Sequence, residues 1–443
     1  MKQFTEKLSI LIAICLAIFV GCGKPHSLNY DFNTGTGSAP QYPDVNFAVI
    51  SDIHVYSAEL GSSGAAFEKT MNSDRKLLLD SIDLLDFAIA EILEADVNFV
   101  LIPGDLTKDG ELVNHKIVAE KLQKLTDADI AVYVVPGNHD VNNPDSVKYS
   151  GDSKENIPAV SEAEFAQIYG NFGYNAAFKR DKSSLSYVTE LTEGMWLLAL
   201  DATRHNENVP GDHAIVSGKI NQETADWIAS VLREAYEKNI AVMAMMHHGF
   251  GEHWKGQAKL HPDYIILDYA NFGKFLASWN VRAGFTGHYH AHDITRLEFD
   301  NGKYFYDIET GSLITAPCPI RYVQITDNMM NIKSDFFIEK LHPGTDFAVN
   351  GHAFVKKTVM LEAANTLRRY KVSEKDTAII ADAVGDAFAA HYSGDENPEL
   401  RPPLDKSKLG LWGRIVLSTQ KYVLDGLWID LIPEDINTTL NLK

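Results

Sequence analysis

The sequence predicts an α/β layered domain with mixed sheets, followed by a helical appendage. From Val45 onward, short apolar runs alternate with helix-periodic segments, and beyond about Leu341 helices alone remain. The size agrees: 443 residues exceed one ordinary domain, and 45% hydrophobic with 23% charged residues permits a sizeable core and excludes global disorder.

The chain opens with Lys2 and Lys7 ahead of an apolar run, Leu8 to Val20, that ends at Gly21-Cys22. So short a run does not comfortably cross a ~30 Å hydrocarbon core. A basic start, a short apolar stretch and a small residue before the cut fit a secretory signal over residues 1–21. Ile18-Phe19-Val20-Gly21-Cys22 also resembles a bacterial lipobox. That resemblance implies cleavage before Cys22, acylation there, and an exported protein lipid-anchored to a bacterial membrane; plain secretion is the alternative. After cleavage and acylation Cys318 is the one free thiol, so a disulfide framework is excluded. Residues 22–44, rich in Gly, Ser, Asn and Pro without periodicity, read as a flexible tether.

Strand-length apolar runs follow at Val45–Ile50, Asn98–Ile102, Ile130–Val135, Met195–Leu200, Ile240–Met246 and Val281–Thr286. Between them, helical spacing marks Arg75–Ala95 (Leu78, Ile82, Leu85, Ile89, Ile92), Leu112–Leu125, Glu223–Lys238 and Tyr269–Trp279. Tyr304–Glu309, Tyr322–Thr326 and Met330–Phe337 read as strands with no helices between, closing a domain over residues 45–340. Residues 341–443 read as helices at Lys356–Tyr370, Ser373–His391 and Leu409–Leu424, broken at Ser393-Gly394 and Arg401-Pro402-Pro403. No cluster of metal-ligand types stands out there, so packing or docking is the expected role.

Sixty acidic against forty basic residues give a formal charge of −20. Such a surface repels a phosphate backbone, so nucleic-acid binding is not expected, whereas a locally positive site can still draw in small anions.

Five segments each sit where an expected strand runs out: Asp52-Ile53-His54, Gly104-Asp105, Gly137-Asn138-His139-Asp140, Met246-His247-His248 and Gly287-His288-Tyr289-His290. Ligands of open α/β sheets bind beyond the carboxyl ends of the strands, so these loops can converge. They offer carboxylates, imidazoles and an amide oxygen but no thiolate, which suits hard or borderline ions such as Mn, Fe or Zn. In an extended backbone, Asp52-x-His54 and His288-x-His290 would each present both side chains on one side. Glycines 104, 137 and 287 would let the chain turn sharply.

In this order the five segments resemble the signature of the calcineurin-like metallophosphoesterase superfamily, over roughly Val45 to Phe337. The resemblance implies a four-layer α/β/β/α sandwich holding two divalent or trivalent metal ions. Carried over, Asp52, His54 and His290 bind one ion, Asn138, His247 and His288 the other, and Asp105 bridges them. Metal-activated hydroxide would attack phosphorus in line with the leaving oxygen. His139 would steady the phosphoryl oxygens or protonate the leaving group, with Asp140 orienting it. The family's order selects His247 over His248. Asp201 and His292-Asp293 are candidates for orienting ligands, with solvated loop positions as the alternative; Arg321 would meet substrate phosphate or form a surface ion pair. The loop between His54 and Arg75 could shape access.

The expected function is hydrolysis of small phosphate esters, leaning to diesters on the family analogy. The alternatives are a monoesterase, including nucleotidase or protein phosphatase, and a non-catalytic surface lipoprotein on the same fold.

Overall fold

The computed structural model describes residues 27–32, 39–72, 74–300 and 302–443. The signal and the lipidation position Cys22 lie outside these described residues.

The strands are, in chain order, β1 (Val45–Val49), β2 (Phe99–Ile102), β3 (Ala131–Val134), β4 (Val147–Ser150), β5 (Ser153–Asn156), β6 (Lys179–Arg180), β7 (Tyr187–Thr192) and β8 (Met195–Leu200). They continue with β9 (Ala241–Met246), β10 (Ala283–Thr286), β11 (Asp293–Glu298), β12 (Tyr304–Glu309), β13 (Pro319–Thr326), β14 (Met329–Phe336) and β15 (Asn437–Asn441). One mixed sheet has the order β15-β14-β13-β1-β2-β3 and a second the order β11-β12-β10-β9-β8-β7-β6; β4 and β5 form a separate hairpin. Strands β1, β2 and β3 are parallel, as are β8, β9, β10 and β12, so their carboxyl ends share one edge of each sheet.

The sheets stack face to face. In β8, Met195, Leu197 and Ala199 enter the core between them, while Trp196, Leu198 and Leu200 lie under helices Gln222–Glu237 and Tyr269–Ser278. Burial on both faces is why that strand reads as an unbroken apolar run. Phe47 of β1 meets Phe285 of β10 edge to face at 5.4 Å across the seam. Helices Ser81–Leu93 and Leu112–Thr126 cover the outer face of the first sheet, completing four α/β/β/α layers.

Three expectations need correction. The helix expected from Arg75 begins at Ser81, and Arg75 and Lys76 stay in the preceding loop. The C-terminal segment is not all helix: after helices Phe347–Arg369, Glu374–Ser393, Leu411–Thr419 and Lys421–Gly426, β15 returns to pair antiparallel with β14. Both ends of the appendage are therefore joined to the first sheet. Nor is the stretch read as a tether free where it is described. Tyr30 stacks on Phe275 at 5.1 Å, and buried Tyr42 donates its hydroxyl to the Val242 carbonyl at 3.1 Å.

Candidate metal centre

The five loops meet at the carboxyl ends of β1, β2, β3, β9 and β10, but not with the backbone expected. Asp52, His54, Asp105, His288 and His290 all take positive φ, at 50°, 36°, 50°, 76° and 67°. Non-glycine residues held there carry roughly 1–3 kcal/mol of strain each, which persists only where surroundings enforce it. Here the Asp52 and His54 amides donate to the carbonyls of Gly104 and Asp105 at 3.2 and 2.9 Å, and the His288 amide donates to Asp52 Oδ2 at 3.1 Å. The loops thus pin one another. Gly137 and Gly287 act by lacking a side chain: a Cβ on Gly137 would lie 2.1 Å from Asp105 Oδ1, and one on Gly287 2.3 Å from Asp52 Oδ2.

The side chains form two nests that share Asp105. In the first, His290 Nε2 lies 3.3 Å from Asp52 Oδ1 and 3.4 Å from His54 Nε2, which is 3.5 Å from Asp105 Oδ2. In the second, His247 Nε2 lies 3.3 Å from the same Asp105 oxygen and 3.1 Å from Asn138 Oδ1, with His288 completing the group. His248 turns away: its Nε2 donates to the Val216 carbonyl at 2.8 Å, and burial, then His247, pushes it down to about 3.

This donor set fits metal ions. His54 and His247 donate their Nδ1 protons to the carbonyls of Thr107 (3.3 Å) and Pro103 (2.8 Å), which leaves both Nε2 lone pairs facing the nests. Burial holds His54 and His288 well below the ordinary imidazole range, as neutral ligands require. Burial alone would raise the Asp105 carboxyl, yet His247, His139 and His54 hold it well below its usual range. Its charge in turn lifts His247 to about 9 despite burial. Asp105 thus demands a positive charge on His247's side, which a cation bound there would supply in place of that proton.

His139 and Asp140 correct the sequence reading. His139 Nδ1 pairs not with Asp140 but with Asp109 Oδ1 at 2.8 Å, and its Nε2 lies 4.0 Å from Asp105 Oδ2 with the ring part-exposed. Against the effect of burial, Asp105 and Asp109 raise its basicity. Asp109 is also paired with Lys108. Asp140 faces inward instead. It accepts from the amides of Gly137 (2.8 Å), Thr107 (2.9 Å) and Leu106 (3.1 Å) and from the Thr107 hydroxyl, tying the β2 and β3 loops together. Neighbours in a tight turn point apart, so adjacency in sequence misassigned the orienting residue. The one signal Asp109 carries in the sequence is membership of the Gly104-Asp105 loop.

Lys76, also missed, is buried, and its charge depresses His54 and bears on His139 and His290. Tyr264 packs against His288 in a tilted pair with ring centres 4.7 Å apart. The other candidates are neither solvated nor at the surface. Asp201 caps the amides of Leu185 and Thr203, His292 Nε2 meets Ser334 Oγ, and Asp293 pairs with His253. Arg321 is fully buried and spends its donors on the carbonyls of Asp435, Asp293 and Glu309, out of reach of any substrate. Cys318 is buried, and its thiol is pushed up by burial.

A sequence profile of the calcineurin-like phosphoesterase family matches residues 45–292. The chain belongs to this family. As a calcineurin-like phosphoesterase it is a hydrolase of phosphoric esters built around a dimetal centre. No curated protein matches the chain. Among solved structures it is similar to a dimetal phosphatase from Danio rerio, at 16% identity over 66% of this chain and 96% of that one, with a TM-score of 0.44. It is also similar to a purple acid phosphatase from yellow lupin seeds (Lupinus luteus), at 12% identity over 68% of this chain and 52% of that one, with a TM-score of 0.40.

Proposed function

We propose that this calcineurin-like phosphoesterase cleaves phosphodiesters whose second substituent is apolar. One observation carries the reading: a cavity of about 260 Å³ lies between the catalytic domain and the C-terminal helices, and Tyr264, whose ring packs against His288, forms part of its wall together with Arg75, Leu260, Ala363 and Leu424. A monoester has a single substituent to place there, whereas a diester carries one charge fewer and a second group to bury.

In this reading Asp52, His54 and His290 would hold one metal ion, Asn138, His247 and His288 the other, and Asp105 would serve both. When bound, such ions polarise the phosphoryl group and make water nucleophilic at neutral pH. Mn, Fe and Zn all suit nitrogen and oxygen donors. The chain's own residues do the rest. Lys76 draws the phosphoryl oxygens towards the nests. His139 carries a proton at Nε2 for the departing ester oxygen, while Asp109 fixes the ring by accepting from Nδ1. The positive φ of Asp52, His54, Asp105, His288 and His290, enforced by the neighbouring loops, keeps these groups in place before substrate arrives.

We also infer export and anchoring through acylated Cys22, which would present the enzyme to small esters outside the cytosol. Among the described residues no helix is long and apolar enough to cross a membrane.

The test is hydrolysis of bis-p-nitrophenyl phosphate and p-nitrophenyl phosphate by protein lacking residues 1–22, with each metal returned singly after chelation. Faster diester turnover, abolished by Asp105→Asn and slowed in KM by the cavity-filling Ala363→Trp, is the expected result. Cleavage of the monoester alone would sink the diester reading.

A further inference from the structure

A second group of ligand-type side chains lies outside the dimetal centre, where the C-terminal segment meets the catalytic sheets. Asp293 opens β11, His391 sits in the last turn of helix Glu374–Ser393, and Glu396 follows in the next loop. One ligand atom from each lies within 4.8 Å of the others, and all three residues are buried, Asp293 and His391 completely. We propose that Asp293, His391 and Glu396 form a third metal site, for a borderline divalent cation of the zinc or manganese class, which ties the C-terminal segment to the catalytic domain.

The hydrogen-bond accounting points to a missing partner. Asp293 Oδ1 accepts from His253 at 2.6 Å, but Asp293 Oδ2 is buried with no hydrogen bond and lies 3.8 Å from His391 Nδ1. Glu396 pairs through one oxygen with His391, and its other oxygen has no hydrogen bond. Asp430 Oδ1 is likewise buried and unbonded. Buried polar atoms are nearly always satisfied, so two orphaned carboxylate oxygens beside one imidazole, with a third on Asp430, are unusual. Asp435 differs: its two oxygens are taken by the amides of Ile294 (2.6 Å) and Asp395 (2.8 Å), so it buttresses the site rather than completing it.

Charge gives a second, independent reason. The neighbouring cations are already committed, Arg321 to backbone carbonyls and His253 to Asp293, Asp307 (3.2 Å) and Glu309 (3.5 Å). Close by, one ligand atom from each of Asp395, Asp430 and Asp435 lies within 4.8 Å of the others, a second gathering of acid. Several carboxylates are thus gathered in low dielectric with too little positive charge, a situation resolved by protonation or by a metal ion. The imidazole among the carboxylates favours Zn or Mn over Ca.

The site stands apart from the diester reading and is tested without activity. Full-length protein carrying Asp105→Asn and His247→Ala, which disable the dimetal centre, would be loaded with zinc alone or manganese alone, desalted and analysed for metal by mass spectrometry. The expected result is one retained equivalent, with a raised thermal midpoint, both lost when Glu396→Gln is added. No retained metal in the double variant overturns the proposal. So does an equivalent that survives Glu396→Gln in folded protein, and shared protons then account for the cluster. If Glu396→Gln does not fold, Asp293→Asn replaces it, keeping an acceptor for His253 while removing the free charge.

Discussion

The pairing of Asp109 with His139 makes a prediction that separates chemistry from scaffolding. In Asp109→Asn the acceptor for His139 Nδ1 at 2.8 Å survives but its charge does not. A hydrogen bond to a charged acceptor is worth about 1.5–3 kcal/mol, against about 0.5–1.5 for a neutral one, so the substitution removes roughly 1–1.5 kcal/mol from the orienting contact. If all of it is felt in the transition state, the rate falls about tenfold. Removing the acid outright, as His139→Ala, should cost on the order of 10²–10³-fold, within the usual range for general acid catalysis. The decisive variable is the leaving group. A nitrophenolate departs with little help, whereas an alkoxide must be protonated, so both losses should appear with an alkyl ester and shrink to a few-fold with a nitrophenyl ester. Steady-state kcat on matched esters, at constant metal content, measures this. Equal losses on both esters would refute the role of His139 as acid and leave Asp109 a structural residue beside Lys108.

Three further outcomes follow from the same geometry. Gly287→Ala places a methyl 2.3 Å from Asp52 Oδ2, so the first nest should lose its ion, and metal analysis should show about one equivalent fewer than wild type; full retention would mean that the loop yields freely. Asp140→Ala strands the amides of Gly137, Leu106 and Thr107 and should lower stability by about 3 kcal/mol in urea unfolding, while a loss below 1 would place water in the carboxylate's stead. His115, pushed down to about 4 by burial, is neutral in the fold, whereas the unfolded chain takes up the proton near pH 6.5. Stability should therefore fall as pH drops from 6.5 to 4, by on the order of 3 kcal/mol from this residue, and His115→Gln should flatten that slope; an unchanged slope would assign acid unfolding to other groups.

How far the fold could be read from the sequence depended on how each element is covered. Strand β8 is legible because both its faces are buried, whereas β7 (Tyr187-Val-Thr-Glu-Leu-Thr) exposes its outer end and β15 (Asn-Thr-Thr-Leu-Asn) carries one apolar residue. Strand β15 exists because β14 offers it an edge, and no local pattern encodes that offer. The ligand types were legible as residues at strand ends, but the backbone that aims them was not. Alternation assumed extended chain, while the left-handed φ of Asp52, His54, His288 and His290 depends on amide donations between loops far apart in sequence.

The same limit explains why Asp109 and the Asp293–His391–Glu396 group escaped notice. Motif reasoning finds residues whose neighbours in sequence are also their neighbours in space, as in Gly287-His288-Tyr289-His290. Asp140 adjoins His139 in sequence yet turns inward to backbone amides, while Asp109, in another loop, reaches the imidazole. His391 and Glu396 look like ordinary residues of a helix end, and only the return of the C-terminal segment to the first sheet brings them against Asp293. The helices of that segment also supply one wall of the cavity beside Tyr264. The segment beyond residue 340 is thus built into the catalytic domain by a strand, a polar cluster and an apolar wall at once. A tail that merely docked would have needed none of the three.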